Sequence, residues 1–190
     1  MKKLLFLLTL LVLNSCSPDR VLYDELTQIG TDNKPIMYYE GKPFNGVGFD
    51  IYEDGQLLRE GNFKDGKQDG LVQEWYDNGQ LSKQINYQDG QRIGLHQEWY
   101  ENGQLKDKST YSDGKLNGLY QQWDKNGQLR SKSTYKDNKK NGLSQIWYEN
   151  GQLYDETTYK DNKPNGLYQR WYENGQLQFA TTFKDGVSID

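Results

Sequence analysis

The stretch Trp147-Tyr148-Glu149-Asn150-Gly151-Gln152-Leu153 decides the fold, because it recurs unchanged at 99–105 and at 171–177. Around it the chain keeps a period of 24 residues. Gly46, Gly70, Gly94, Gly118, Gly142 and Gly166 hold that interval, as do Gly55, Gly79, Gly103, Gly127, Gly151 and Gly175. Trp75, Trp99, Trp123, Trp147 and Trp171 follow it too, and so do the aromatics Phe63, Tyr87, Tyr111, Tyr135, Tyr159 and Phe183. Self-similarity of this kind marks a repeat architecture. The unit reads G-L-x-Q-x-W-Y-x-N-G-Q-L, then five variable residues, Tyr, x, Asp, and Gly or Asn before three residues that lead to the next Gly.

Each unit holds two short alternating segments and two turn signals, about twelve residues per segment and turn, which is the rhythm of consecutive β-hairpins. Glycine and asparagine recur too often for helix. The first turn carries Asn-Gly in five units and Asp54-Gly55 in the other; the second carries Asp-Gly or Asp-Asn. Both suit the positive φ of tight hairpins. The spacing predicts an elongated, single-layer antiparallel meander of hairpins. A three-residue loop, Asp77-Asn78-Gly79, pairs Trp75 with Leu81 and is expected to bring Leu71, Trp75, Leu81, Ile85 and Tyr87 to one face. Because 24 is even, every unit repeats that presentation. Glu74, Tyr76, Ser82, Gln84 and Asn86 are expected on the other, wetter face.

Composition agrees with a thin sheet. Hydrophobic residues, tyrosine included, reach only 34%, yet the chain carries five Trp, 15 Tyr and six Phe. That is too little aliphatic material for a thick core and too much aromatic surface for a disordered chain. The net charge of −4, with scattered signs, offers no basic stripe for nucleic acid.

The beginning reads as an address. Met1-Lys2-Lys3 is followed by an apolar run from Leu4 to Leu13, the layout of a secretory signal. That run is shorter than the ~17 residues that a spanning helix needs. Leu13-Asn14-Ser15-Cys16 resembles the lipobox of bacterial lipoproteins, which implies cleavage before Cys16 and its acylation as the lipid attachment site. The expected organisation is a signal peptide at 1–15, a short tether at 16–20, a divergent N-terminal cap at 21–45, six repeats at 46–187 and a tail at 188–190. The product is then an exported lipoprotein, anchored in the bacterial cell envelope.

The repeated Trp-Tyr-Glu-Asn-Gly-Gln-Leu resembles the repeat of bacterial MORN-type proteins, and Gly-Lys-Pro-Phe-Asn-Gly at 41–46 is similar to the opening of such arrays in exported lipoproteins. The resemblance implies a sheet used as a scaffold or docking surface. Many bacterial relatives are named antitoxin components of a toxin–antitoxin pair, so it also implies an antitoxin or immunity-like partner. Eukaryotic members are tied to phospholipid binding or protein assembly.

The candidate binding surface is aromatic: Trp75, Trp99, Trp123, Trp147 and Trp171, with Tyr87, Tyr111, Tyr135 and Tyr159. Successive Trp are expected about 9.5 Å apart, two strands per unit. Such a row suits a protein segment or the sugar rings of a glycan; alternatively Trp and Leu form only the strip that joins one hairpin to the next. The turn glycines Gly55, Gly79, Gly103, Gly127, Gly151 and Gly175 are expected to be structural. The Asp residues of the second turn are isolated and read as turn formers rather than calcium ligands. His96 falls at a variable position and is expected at the surface. Neither a catalytic constellation nor a metal or cofactor site is expected, and no unit is expected to break the pattern with convergent reactive groups. The partners expected are another protein or a glycan, and the membrane through the lipid anchor.

Overall fold

The computed structural model describes residues 19–31 and 34–189. The signal peptide, Cys16 and the first residues of the tether lie outside the described residues.

Twelve strands make the repeat region. They are β5 (Gly46–Ile51), β6 (Leu57–Lys64), β7 (Lys67–Trp75), β8 (Leu81–Gln88), β9 (Gln91–Trp99), β10 (Leu105–Ser112), β11 (Lys115–Trp123), β12 (Leu129–Lys136), β13 (Lys139–Trp147), β14 (Leu153–Lys160), β15 (Lys163–Trp171) and β16 (Leu177–Lys184). Each pairs antiparallel with the next in chain order. Ahead of them come β1 (Arg20–Leu22), which lies parallel to β5, a single 3-10 turn (Tyr23–Glu25), and a separate small sheet of β2 (Thr27–Thr31), β3 (Lys34–Tyr39) and β4 (Lys42–Pro43). The short β17 (Val187–Ser188) follows β16.

The first turn of each unit is the three-residue loop that the sequence predicts. Trp75 pairs with Leu81, Tyr76 donates its N–H to the Gln80 carbonyl at 2.8 Å, and Gly79 sits at φ +80°. The second turn is a two-residue loop with both residues at positive φ, +51° at Asp65 and +76° at Gly66. In the last two such turns inside the array Asn replaces Gly and adds a bond of its own: Asn138 Oδ1 accepts from the Leu116 N–H and Asn162 Oδ1 from the Lys140 N–H, each at 2.7 Å.

The faces correct the expectation of one apolar side. Trp75 pairs with Leu81 but Glu74 pairs with Lys83, so Ser82 is an extra residue, a bulge, and the alternation of β8 reverses there. Leu71, Trp75 and Leu81 therefore share one face with Gln73, Gln84 and Asn86. Val72, Ile85 and Tyr87 occupy the other, with Glu74 and Lys83. A second irregularity, at Gly94-Leu95, where Ile85 pairs with His96 and Asn86 with Ile93, falls between units. Both recur along the array, so the 24-residue phase survives although the composition of each face differs from expectation.

Packed side chains concentrate at the N-terminal end. Val21, Leu26, Phe44 and Phe63 are buried together, with Tyr23, Met37 and Tyr39 against them. Room for this comes from Gly48 and Gly61: a Cβ on Gly48 would lie 2.9 Å from Phe63 and 3.3 Å from Tyr23, and one on Gly61 3.0 Å from the Tyr23 hydroxyl. Phe44 is fully buried, with its ring in this cluster 5.7 Å from Phe63.

Candidate binding surface

The face that carries Tyr87 is built around a floor of cross-strand neighbours, one from each strand. Gly48, Gly61, Val72, Ile85, His96, Ser109, Tyr120, Ser133, Ser144, Thr157, Tyr168 and Thr181 pair in that order from β5 to β16. Most are buried, Ser109 to 1% exposure. Their cover is the side chains on either flank. One flank is the aromatic row that includes Tyr111 and Tyr135; the other is a charged row in which Asp50, Arg59, Glu74, Lys83 and Glu98 alternate in sign across neighbouring strands.

Several members of these flanks contact one another. Tyr120 stands edge-on to Tyr135 at 6.0 Å, Lys140 lies 5.1 Å over Tyr159, and Arg170 4.9 Å over Tyr154. Lys83 bridges Glu74 and Glu98 at 3.9 Å each. The Ser133 and Ser144 hydroxyls share a 2.8 Å hydrogen bond on the floor.

The middle of this face gathers titratable groups that the sequence reading treated as scattered. His96 is only 6% exposed rather than a surface residue, because bulging places it between Ile85 and Ser109 on the floor. Its Nε2 lies 3.3 Å from the Glu98 carboxylate, yet neither ring nitrogen has a hydrogen-bond partner. Burial holds its pKa below the ordinary histidine value, against the pull of Glu98 and with help from Arg92 and Lys83. Glu98 in turn pairs across the sheet with Asp107, two carboxylates side by side. Burial raises the Asp107 pKa; a hydrogen bond from Tyr120 opposes the rise and the Glu98 charge adds to it. The Tyr120 hydroxyl is pushed up by burial and by Asp107. Two units on, Tyr168 and Asp155 repeat the arrangement, and burial and the carboxylate push Tyr168 up to about 12. Unit-to-unit variation at one position gave no sign of this burial, which only the bulged register reveals. Glu74 and Glu98 likewise stand on the tyrosine face and not on a separate wet one.

The opposite face holds three parallel rows. Trp75, Trp99, Trp123, Trp147 and Trp171 alternate with leucines, each Trp pairing with the Leu after its own turn. Beside them runs a polar ladder, from Gln73 through Gln84, Gln97, Lys108 and Gln121 to Lys132, Gln145, Glu156 and Gln169. Beyond it lies a row in which Leu95, Leu119, Leu143 and Leu167 pair with threonines of the next strand. The tryptophans are half-buried; Leu95, Leu143 and Leu167 are exposed. The nine aromatic residues singled out in the sequence therefore divide: five tryptophans on this face, and Tyr87, Tyr111, Tyr135 and Tyr159 on the other. Gly55, Gly79, Gly103, Gly127, Gly151 and Gly175 sit at the loop tips with φ between +80° and +89°.

A cleft of about 610 Å³ opens where the small N-terminal sheet meets the first hairpins, lined by Tyr23, Ile36, Met37, Phe63, Gln68 and Asp89 among others. Among the described residues no group of three or more His, Cys, Asp or Glu is placed to hold a metal ion, and no helix is long and apolar enough to cross a membrane.

Stacked hairpins of one repeating pattern, with two compositionally distinct faces, define a β-repeat array. The MORN repeat variant matches six times, at 44–65, 68–89, 92–113, 116–137, 140–161 and 164–185, and the chain belongs to that family. Among curated proteins, none matches the chain.

Proposed function

We propose that the chain is an exported lipoprotein, acylated at Cys16, whose repeat sheet is a protein-docking scaffold without enzymatic activity, and that the docking face is the one bearing the tryptophans. The observation that carries this reading is the asymmetry between the faces. On the tyrosine face many of the charges are paired across strands and several rings contact one another, so much of that face holds neighbouring strands together. On the tryptophan face, half-buried indoles run beside exposed Leu95, Leu143 and Leu167 and a ladder of glutamines. Apolar surface of that extent on an ordered sheet marks a binding surface. Glutamine amides next to it supply donors and acceptors for a polypeptide backbone.

The test uses the full-length protein in its native membranes. Photo-crosslinking from position 121, on the tryptophan face, is expected to capture a discrete partner. Leu143→Glu with Leu167→Glu is expected to abolish that capture while leaving the far-UV spectrum intact. Capture that survives both substitutions overturns the reading.

A glycan reading rests on the spacing of the tryptophans, about 9.5 Å from one unit to the next. Titration with cell-wall glycans separates it from docking: quenching or a shift of tryptophan emission supports sugar stacking, and unchanged emission supports a protein partner.

A further inference from the structure

We infer that Asn126 is a site of spontaneous covalent modification, at which the side-chain amide is lost to water and the residue becomes aspartate or isoaspartate. Asparagine is thermolabile, and a following glycine leaves the attacking backbone nitrogen uncrowded. The chain holds nine Asn-Gly steps. Three of them, at 117–118, 141–142 and 165–166, are half-buried in strands whose glycines pair with Tyr135, Tyr159 and Phe183. Asn45 is tied at both ends, accepting from the Asp65 N–H at 2.8 Å and donating to the Pro43 carbonyl at 3.4 Å. The other five lie at the exposed tips of the first turns.

In three of these turns both ends of the amide are held. Oδ1 of Asn78, Asn102 and Asn150 accepts from the N–H of Gln80, Gln104 and Gln152 at 2.9, 3.1 and 2.9 Å. Nδ2 of each donates to a carbonyl of the next unit, at Glu101, Lys125 and Glu173. Asn174 keeps the first of these bonds, from the Gln176 N–H at 3.0 Å. Asn126 has neither. Asp124 takes the Gln128 N–H at 3.1 Å, the bond that asparagine makes elsewhere, and also accepts from the Asn126 N–H at 2.9 Å. The Asn126 side chain is thereby left exposed, with no hydrogen-bond partner among the described residues.

The reaction needs only water. With the turn open, the Gly127 nitrogen gives its proton to solvent base and bonds to Asn126 Cγ. The Cγ–Nδ2 bond breaks, and Nδ2 leaves as ammonia with a proton from solvent. The cyclic imide then takes up one water. Addition at Cγ breaks the new bond to the Gly127 nitrogen and yields aspartate. Addition at the Asn126 backbone carbonyl carbon breaks the original peptide bond and carries the chain through the side chain as isoaspartate. Opening the turn is a shared cost, because Gly127 donates its N–H to the Asp124 carbonyl at 2.9 Å just as Gly79 does to Tyr76 at 2.9 Å. What differs is the free amide.

Either product adds a negative charge two residues from Asp124. Isoaspartate also lengthens the backbone of the loop Lys125-Asn126-Gly127, which sets the pairing of Trp123 with Leu129. The inference stands apart from the docking proposal, since it concerns a loop tip and not a face.

The test is peptide mass spectrometry, with fragment ions assigning each asparagine, on the full chain kept folded in detergent at mildly alkaline pH. Asn126 is expected to convert fastest of the nine, and about tenfold or more faster than Asn78, Asn102 or Asn150, the factor for two ordinary hydrogen bonds that need not break. Asp124→Tyr removes the competing carboxylate, returns the Gln128 N–H to Asn126 Oδ1, and is expected to slow Asn126 to the rate of Asn102. In urea, where no turn persists, the nine rates are expected to converge. A rate at Asn126 matched by any other step in the folded chain, a lead that persists in urea, or a rate unmoved by Asp124→Tyr would each overturn the inference.

Discussion

The Tyr76 hydroxyl donates a 2.7 Å hydrogen bond to the carbonyl oxygen of Trp99, one unit further on. Tyr52 reaches Trp75 in the same way at 2.7 Å, Tyr100 reaches Trp123 at 2.8 Å and Tyr148 reaches Trp171 at 2.9 Å. The first-turn asparagines add a second tie: Asn78 Nδ2 donates to the Glu101 carbonyl, Asn102 to Lys125 and Asn150 to Glu173. Both ties fail at one seam. Asp124 stands where the other units have tyrosine, and its carboxylate turns inward to accept from the N–H groups of Asn126 and Gln128.

That gap sets opposite expectations for two substitutions. Tyr76→Phe removes a part-buried bond and is expected to cost about 1 kcal/mol. Asp124→Tyr supplies the missing bond to Trp147 and is expected to stabilise by a similar amount. Urea denaturation followed by tryptophan emission checks both; a fall in midpoint for Asp124→Tyr counts against the seam.

Gly127 tests the first turn. It lies at φ +81°, and a Cβ there would stand 2.9 Å from Gln104 Oε1, a flexible amide that is able to move. Backbone strain is therefore the larger effect, and Gly127→Val is expected to cost about 1 to 3 kcal/mol. A urea midpoint equal to that of the parent would contradict the left-handed turn.

Much of this architecture was legible in the residues. The 24-residue interval gave the hairpins, and the placement of Gly79 after Asp77-Asn78 gave the pairing of Trp75 with Leu81. What the interval does not carry is the extra residue at Ser82. A bulge leaves the period intact while reversing the alternation within a strand, so counting by twos from Leu81 puts Tyr87 on the wrong side. The same slip hides the burial of His96 and the adjacency of Glu98 and Asp107. The tie from Tyr76 to Trp99 had a visible signal, since a tyrosine follows four of the five tryptophans or occupies the equivalent position, but its partner is a backbone atom that no side-chain pattern discloses.

His96 makes stability depend on pH. Burial lowers its folded pKa beneath the unfolded value of about 6.5, so the unfolded chain binds the proton first. The neutral ring's contribution is fully present above the unfolded pKa and is lost as pH falls from there through the lower folded value. Glu98 limits the loss, and Arg92 and Lys83 enlarge it. His96→Ile places an aliphatic side chain between Ile85 and Ser109, removes two unpartnered buried nitrogens, and is expected to raise stability near neutrality by about 1 kcal/mol. Its urea midpoint should also fall less than the parent's between about pH 7 and pH 5. Parallel pH profiles for the two proteins would show that the ring does not titrate with folding.

Removing one repeat tests whether the period itself carries the fold. Deletion of 115–138 joins the Asp113-Gly114 turn to Lys139, where it normally meets Lys115, and leaves every strand direction intact. The junction also eliminates Asp124 and brings Tyr100 against Trp147, so the new seam regains the tie that the parent lacks there. Stability in such arrays is a sum over units and their interfaces. The shortened protein is therefore expected to fold with the parent's far-UV signal per residue and with only a modest fall in urea midpoint. Deletion of the twelve residues 127–138 removes one strand and half a unit, so the following strands enter the sheet with reversed direction and Trp147 no longer meets the row begun by Trp75. That variant is expected to lose cooperative unfolding. Indistinguishable spectra and melting for the two deletions would mean that pairing tolerates either polarity and that the even spacing is incidental to the fold.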